Sequence, residues 1–118
     1  MKKILFIFAL VAIVASAGFS QTSVSITNST SYNLWGLYTS GTDGDLLPTS
    51  TLNSGYFTTL TYPSGYDCNV DIYFTYYDYN TYTEYTIATF SNIDICDVYS
   101  LTLYDSYYEL NGNTYYYD

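Results

Sequence analysis

The sequence has no histidine, and its only basic side chains are Lys2 and Lys3. Each absence removes a class of chemistry. Without histidine there is no Ser-His or Cys-His nucleophile pair. Two cysteines with no histidine also make a poor zinc site. With no Lys or Arg after residue 3, no side-chain cation can stabilise an oxyanion or hold a phosphate, and no phosphate-cradling Gly-rich loop is present. Long apolar runs are scarce too. The one that exists, ILFIFALVAIVA (Ile4 to Ala15), is too short to span a bilayer comfortably. It comes after the two lysines and runs into Ala15-Ser16-Ala17, small residues suited to the −3 and −1 positions of a cleavage site. Residues 1–17 therefore read as a secretory signal peptide cut after Ala17, with an uncut anchor as the alternative. No cysteine stands just after the apolar run, which argues against a lipid-anchored lipoprotein.

The rest of the chain is acidic. All eleven acids (Asp43, Asp45, Asp67, Asp71, Asp78, Glu84, Asp94, Asp97, Asp105, Glu109 and Asp118) lie beyond the apolar run. With no basic side chain against them, residues 18–118 carry −11, compared with −9 for the whole chain. Nucleic acid and anionic membrane surfaces are repelled by such a chain, and cations or basic partners attracted. The acids are scattered. Solubility of an aromatic-rich β protein explains them, and cation binding is the alternative.

Residues 18–118 are sized for a single domain with a modest core. They are poor in helix formers and rich in Thr, Tyr, Val and Ile, and turn signals recur every ten to fifteen residues, the rhythm of an all-β sandwich or barrel. Strands are expected over Ser23–Thr27, Ser31–Ser40 (with a bulge at Gly36, because Leu34 and Leu37 fall out of period two), Tyr56–Tyr62, Cys68–Tyr77, Tyr82–Phe90 and Val98–Asp105. Asn111-Gly112 is a strong hairpin apex, giving a C-terminal ribbon. The expected fold is all-β: a single antiparallel β-sandwich of about seven to eight strands with a C-terminal hairpin. Export implies an oxidising compartment, so Cys68–Cys96 is expected as a disulfide, worth about 3–4 kcal/mol on the chain-entropy account.

Tyrosine is the most conspicuous presence, at eighteen residues. On Cys68–Tyr77 the pleat sends Val70, Ile72, Phe74 and Tyr76 one way and Asp71, Tyr73, Thr75 and Tyr77 the other. An unpaired Asp71 cannot sit in a core, so its face is the wet one. Tyr76, and Tyr99 with Leu101 and Leu103, are expected to face the core, the tyrosine hydroxyls reaching its rim. Tyr73, Tyr77 and Tyr79 are expected outside, either as cross-strand pairs that stabilise the sheet or as a binding face. Tyr115 and Tyr116 of the tail join them as candidate contact residues.

NSTSYNLWGLYTS (Asn28 to Ser40) resembles a pattern of small secreted bacterial β proteins, Asn-x-Thr-x-Tyr-x-Ile-x-x-Leu-Tyr-x-Ser, filled here by Asn28, Thr30, Tyr32, Leu34, Leu37, Tyr38 and Ser40. DGDLL (Asp43 to Leu47) and VDIYFTYYDYNTY (Val70 to Tyr82) are similar to that group's acidic loop and central hairpin, over roughly residues 24–105. The chain departs from the pattern in lacking the acidic loop's Trp, in Tyr73 where a basic residue is common, and in Asn80 in place of a turn Gly. The resemblance implies the fold and export only, since the group has no assigned activity.

Of enzyme chemistries, only a carboxylate pair such as Asp71 with Glu84 is conceivable, and the chain is expected not to be an enzyme. No cofactor is expected. Ca²⁺ is the one metal the loops could take, through Asp43 and Asp45, or Asp78 and Asn80 with Glu84, or Asp94 and Asp97, although such residues are common in turns for backbone reasons. Asn28-Ser29-Thr30 is also a glycosylation sequon, read as incidental. The leading expectation is an exported, non-catalytic protein acting by surface contact at or outside the cell envelope through a tyrosine-rich face. The second is a glycan-binding module, with Ca²⁺ ordering the acidic loops. The partner, protein or glycan, is not specified by the sequence.

Overall fold

The computed structural model describes residues 22–118; the signal-peptide reading of residues 1–17 lies outside them. Eight strands form two sheets, and there is no α-helix among the described residues. The strands are β1 (Thr22–Asn28), β2 (Gly36–Thr39), β3 (Phe57–Tyr62), β4 (Asn69–Asp78), β5 (Thr83–Asp94), β6 (Ser100–Leu103), β7 (Tyr107–Leu110) and β8 (Asn113–Tyr116). One sheet has the order β3-β1-β6-β7-β8 and the other β2-β4-β5. All pairings are antiparallel except β1 with β6, which run parallel. The expected sandwich and C-terminal hairpin are present, with that one parallel junction inside the larger sheet.

Period-two alternation builds the core. Val24 and Ile26 of β1, Leu60 and Tyr62 of β3, and Leu101 and Leu103 of β6 face inward from the larger sheet. Leu37 of β2, Val70, Ile72 and Phe74 of β4, and Phe90 and Ile93 of β5 meet them from the smaller one. Phe90 packs across the interface on Tyr108 of β7, ring centroids 4.1 Å apart. Each such side chain contributes about 1.5–3 kcal/mol by leaving water. The disulfide forms as expected, with Cα atoms 5.2 Å apart. It closes the open end of the β4–β5 hairpin, beside the pair Asn69–Asp94. At the C-terminal apex Asn111 and Gly112 both take positive φ (51° and 87°), as a two-residue primed turn requires.

Four expectations need correction. Tyr99 is 67% exposed rather than buried. The 3₁₀ turn Ile95–Asp97 precedes it, Val98 takes the buried place, and the Asn111 side chain accepts the Tyr99 and Ser100 N–H groups, so the pleat begins only at Ser100. Tyr76 points to the core side but lies beyond the last core residue, Phe74, and is half-buried between Tyr32 and Tyr85. Thr75, expected on the wet face, is on that face and nevertheless buried, because the Tyr38 and Glu84 side chains cover it. Finally, residues 31–35 are not a strand. Leu34 exchanges hydrogen bonds with Leu52, while Trp35 N–H donates to Thr75 O, so the chain crosses from one sheet to the other there. Both Leu34 and Leu37 are buried by this crossing instead of by a bulge at Gly36.

Candidate functional site

The crossing is held by a polar centre in the core. Asn28, at the end of β1, is fully buried. Its Nδ2 donates to Tyr32 O (2.8 Å) and Leu52 O (2.9 Å), and its Oδ1 accepts from Thr30 N–H (3.0 Å) and Thr30 Oγ1–H (2.6 Å). Asn28 also bonds through its backbone to Tyr56 O and Gly55 N–H. Ser31 is tied down separately, its N–H and hydroxyl donating to Asp105 Oδ1. A short polar loop thus acquires one shape, and that shape projects Tyr32 and Trp35. The sequon asparagine is a structural hub, closed to a glycosylating enzyme in the folded protein.

Tyr32 stacks on Tyr76 with centroids 4.7 Å apart, and Tyr76 on Tyr85 at 5.6 Å. Burial, and then the neighbouring Tyr32 phenol and the Asp78 carboxylate, raise the Tyr76 pKa above its ordinary value. Trp35 lies against Tyr77 at 4.6 Å, and Tyr79 sets its edge to both, 6.2 Å from Trp35 and 4.9 Å from Tyr77. The rings of Tyr32, Trp35, Tyr76, Tyr77 and Tyr79 line a groove of about 480 Å³, whose remaining wall is Ser31, Asn33, Thr51 and Asn53. The volume lies within the range of small-ligand sites. No residue lining it is acidic.

Further along the same three-stranded sheet lies a second, shallower depression of about 310 Å³, lined by Tyr38, Tyr73, Thr75, Glu84 and Thr86. Tyr38 of β2 is opposite Tyr73 of β4, and the rings stack at 4.9 Å. The Tyr38 ring lies over Gly36, where a Cβ would come within 2.6 Å of it. Tyr38 and Thr75 both donate to Glu84 Oε2, at 2.8 and 2.7 Å. Burial first, then Glu84, push the Tyr38 phenol up to about 12.

The candidate contact residues do not form one surface. Tyr77 and Tyr79 share the groove, and Tyr73 sits apart on the Tyr38 stack. Tyr115 and Tyr116, as neighbours on β8, point to opposite sides. Tyr115 stacks on Tyr108 and Tyr116 approaches Tyr107, both in the other sheet. The carboxylate pair also comes apart. Glu84 is level with Tyr77, whereas Asp71 lies between Val70 and Ile72 at the far end of the ladder. Six residues at strand rise separate them by about 20 Å, well beyond the roughly 5–9.5 Å of a glycosidase pair. Asp71 instead accepts the N–H of Asn92, which has φ 59° at a bulge.

The acidic loops serve the backbone. Asp45 Oδ1 accepts from Leu37 and Leu47 N–H, and Asp78 Oδ1 from Asn80 N–H. Asp43 is exposed in its turn. Asp94 lies beside Cys68 and Cys96, whose sulfurs are bonded to each other and offer no thiolate, and Asp97 is exposed in the 3₁₀ turn. Tyr32, Trp35, Asn33 and Asn53 were not among the sequence candidates. The available signal was the single Trp of the chain, placed where apolar spacing breaks. No protein-family model, curated protein or solved structure matches this chain.

Proposed function

We propose that the protein is exported and acts without catalysis, by surface contact at or outside the cell envelope, through the aromatic face of its three-stranded sheet. The observation that carries this reading is the Trp35–Tyr77–Tyr79 groove: rings from the 31–35 loop, the end of β4 and the turn after it, held against one another. Tyr and Trp supply a large amphipathic contact area at low conformational cost. The separation of Asp71 from Glu84 favours a non-catalytic role over glycoside cleavage, and the disulfide together with the signal-like N-terminus favours export.

The test uses labelled protein added to cells of the producing organism. Wild type should decorate the surface saturably, and Tyr79→Ala, which removes a 67% exposed ring, should weaken decoration without altering thermal melting. Decoration unchanged by Tyr79→Ala, or no binding to the cell surface at all, would overturn the reading.

A further inference from the structure

We propose that the Trp35 groove takes a neutral carbohydrate chain. This deepens the contact-protein reading, on which it rests, and names its ligand. The first ground is charge. The described residues carry all eleven side-chain carboxylates of the chain and no side-chain cation, yet the groove is lined by none of those carboxylates. An anionic ligand would meet a repulsive field with nothing to pair it. A cationic ligand would find no carboxylate on the wall itself, and the two that flank it, Asp78 and Asp105, already accept the Asn80 and Ser31 N–H groups. Neutral chemistry remains.

The second ground is the composition of the wall. One side is rings, and the other is short hydroxyls and amides. Asn33 Oδ1 accepts the Ser54 N–H at 2.9 Å, which fixes the orientation of the amide. A purely apolar ligand would bury these polar groups unpaired, which costs free energy. A small polar ligand would leave the rings unused. A pyranose presents both an apolar C–H face and a rim of hydroxyls, matching the two walls at once.

The third ground is preorganisation. Trp35 and Tyr77 pack at an interplanar angle of 30°, with Tyr79 at 82° to Trp35. The rings brace each other, and the Asn28 centre fixes the loop that carries Trp35, so little ordering remains to oppose binding. The groove lies between the 31–35 loop, Thr51 and Asn53, and the end of β4, and its volume of about 480 Å³ leaves room for more than one sugar ring.

Trp35 is the only tryptophan, so its emission reports directly on the groove. The protein should be titrated with neutral oligosaccharides of the β-glucan, α-glucan, xylan, mannan and chitin types, and with oligogalacturonate as an anionic comparison. At least one neutral series should change Trp35 emission saturably, and oligogalacturonate should not. Tyr79→Ala and Asn53→Ala should each weaken that binding about tenfold with melting unchanged, while Tyr116→Ala, in the other sheet, should leave it intact. No saturable response to any neutral series, or a response insensitive to both groove variants, would overturn the assignment. If cells were still decorated in a Tyr79-dependent way after such a failure, the ligand would be a protein and the contact reading would stand. If Tyr79-dependent decoration were lost as well, both would fall.

Discussion

Asn28→Ala tests how the site is built. The side chain makes four hydrogen bonds with none of its surface exposed. Its loss does not orphan every partner equally. Leu52 O keeps the Leu34 N–H, and Tyr32 O can keep the Thr30 hydroxyl, already 3.1 Å away. Thr30 N–H has no such substitute, and Thr30 is itself buried. One unpaired buried donor costs about 1–3 kcal/mol, and the remaining bonds contribute about 0.5–1.5 kcal/mol each. Because two of the partners keep other donors, the low ends of these ranges apply, and with a small polar void added the expected loss is about 3–4 kcal/mol, a large fraction of the roughly 5–15 kcal/mol typical of a domain. Urea unfolding followed by circular dichroism and by Trp35 emission measures it. Asn28→Asp keeps the shape but sets a carboxylate against two carbonyls, with no side-chain cation among the described residues to pair it. It should lose more than Asn28→Ala at neutral pH and regain stability as acid protonates the new side chain. A loss of less than about 1 kcal/mol in Asn28→Ala, or better tolerance of Asn28→Asp than of Asn28→Ala, would refute the hub role of this side chain.

The same geometry sets four other expectations. Phe74→Ala, at a fully buried position, should cost about 3–5 kcal/mol, while Tyr73→Ala, at 39% exposure, should cost well under that; the reverse order in urea melts would invert the register of β4. Tyr82 has φ 55° at the β4–β5 turn and is 78% exposed, so Tyr82→Gly should stabilise by about 0.5–1 kcal/mol, and a measured loss would reveal a stabilising contact of its ring. Burial and Glu84 raise Tyr38 to about 12 in the folded state, above the usual value near 10. Its contribution is therefore complete below about pH 10 and is lost as pH rises toward about 12, and Glu84→Gln should lower the folded value, read as the difference between absorbance titrations with and without Tyr38→Phe. Because Asp45 and Asp78 already serve backbone N–H groups, EDTA and millimolar Ca²⁺ should leave the melting temperature alike, while raising NaCl should increase it by screening like charges; a Ca²⁺-specific rise of several degrees would restore a metal to the loops.

Some of this structure was legible because it is local. Val70, Ile72 and Phe74 alternate with Asp71 and Tyr73, and the cost of burying an unpaired Asp71 decides which face is wet. Asn111-Gly112 declares a primed turn, since both residues tolerate positive φ. The parts that were hidden depend on distant partners. Nothing in SVSIT says that β1 pairs in parallel with β6. Strand β5 continues through Ser91 and Asn92 to Asp94 only because Asn92 takes a left-handed backbone and binds Asp71 across the ladder. Tyr99 has the parity of Leu101 and Leu103, but the Asn111 side chain holds the backbone ahead of the pleat. Of the groove, Tyr77 and Tyr79 could be anticipated from strand alternation and the turn. Tyr32 and Trp35 could not, because their positions result from a buried asparagine satisfying a loop that reads, by its period, as a strand.

The scarcity of basic side chains also explains the character of the surface. Carboxylates without cations must find other donors, and here they find N–H groups and hydroxyls. Asp105 takes both from Ser31, Asp71 takes the Asn92 N–H, Asp118 takes the Ser91 hydroxyl, and Glu84 takes Tyr38 and Thr75. In most proteins Lys and Arg would fill these places and their long stems would cover apolar surface. In this chain tyrosine does both jobs: Tyr38 shields Thr75 while its hydroxyl answers Glu84. A ring is stiffer than a lysine stem, so a surface dressed in this way is already ordered before anything binds it. Where a carboxylate stands nearby, the phenol is spoken for, as at Tyr38. In the groove no carboxylate lines the wall, and the rings there pack on one another instead. The same compositional rule thus gives tyrosines bound to a carboxylate in one part of the sheet and tyrosines packed ring against ring in the next.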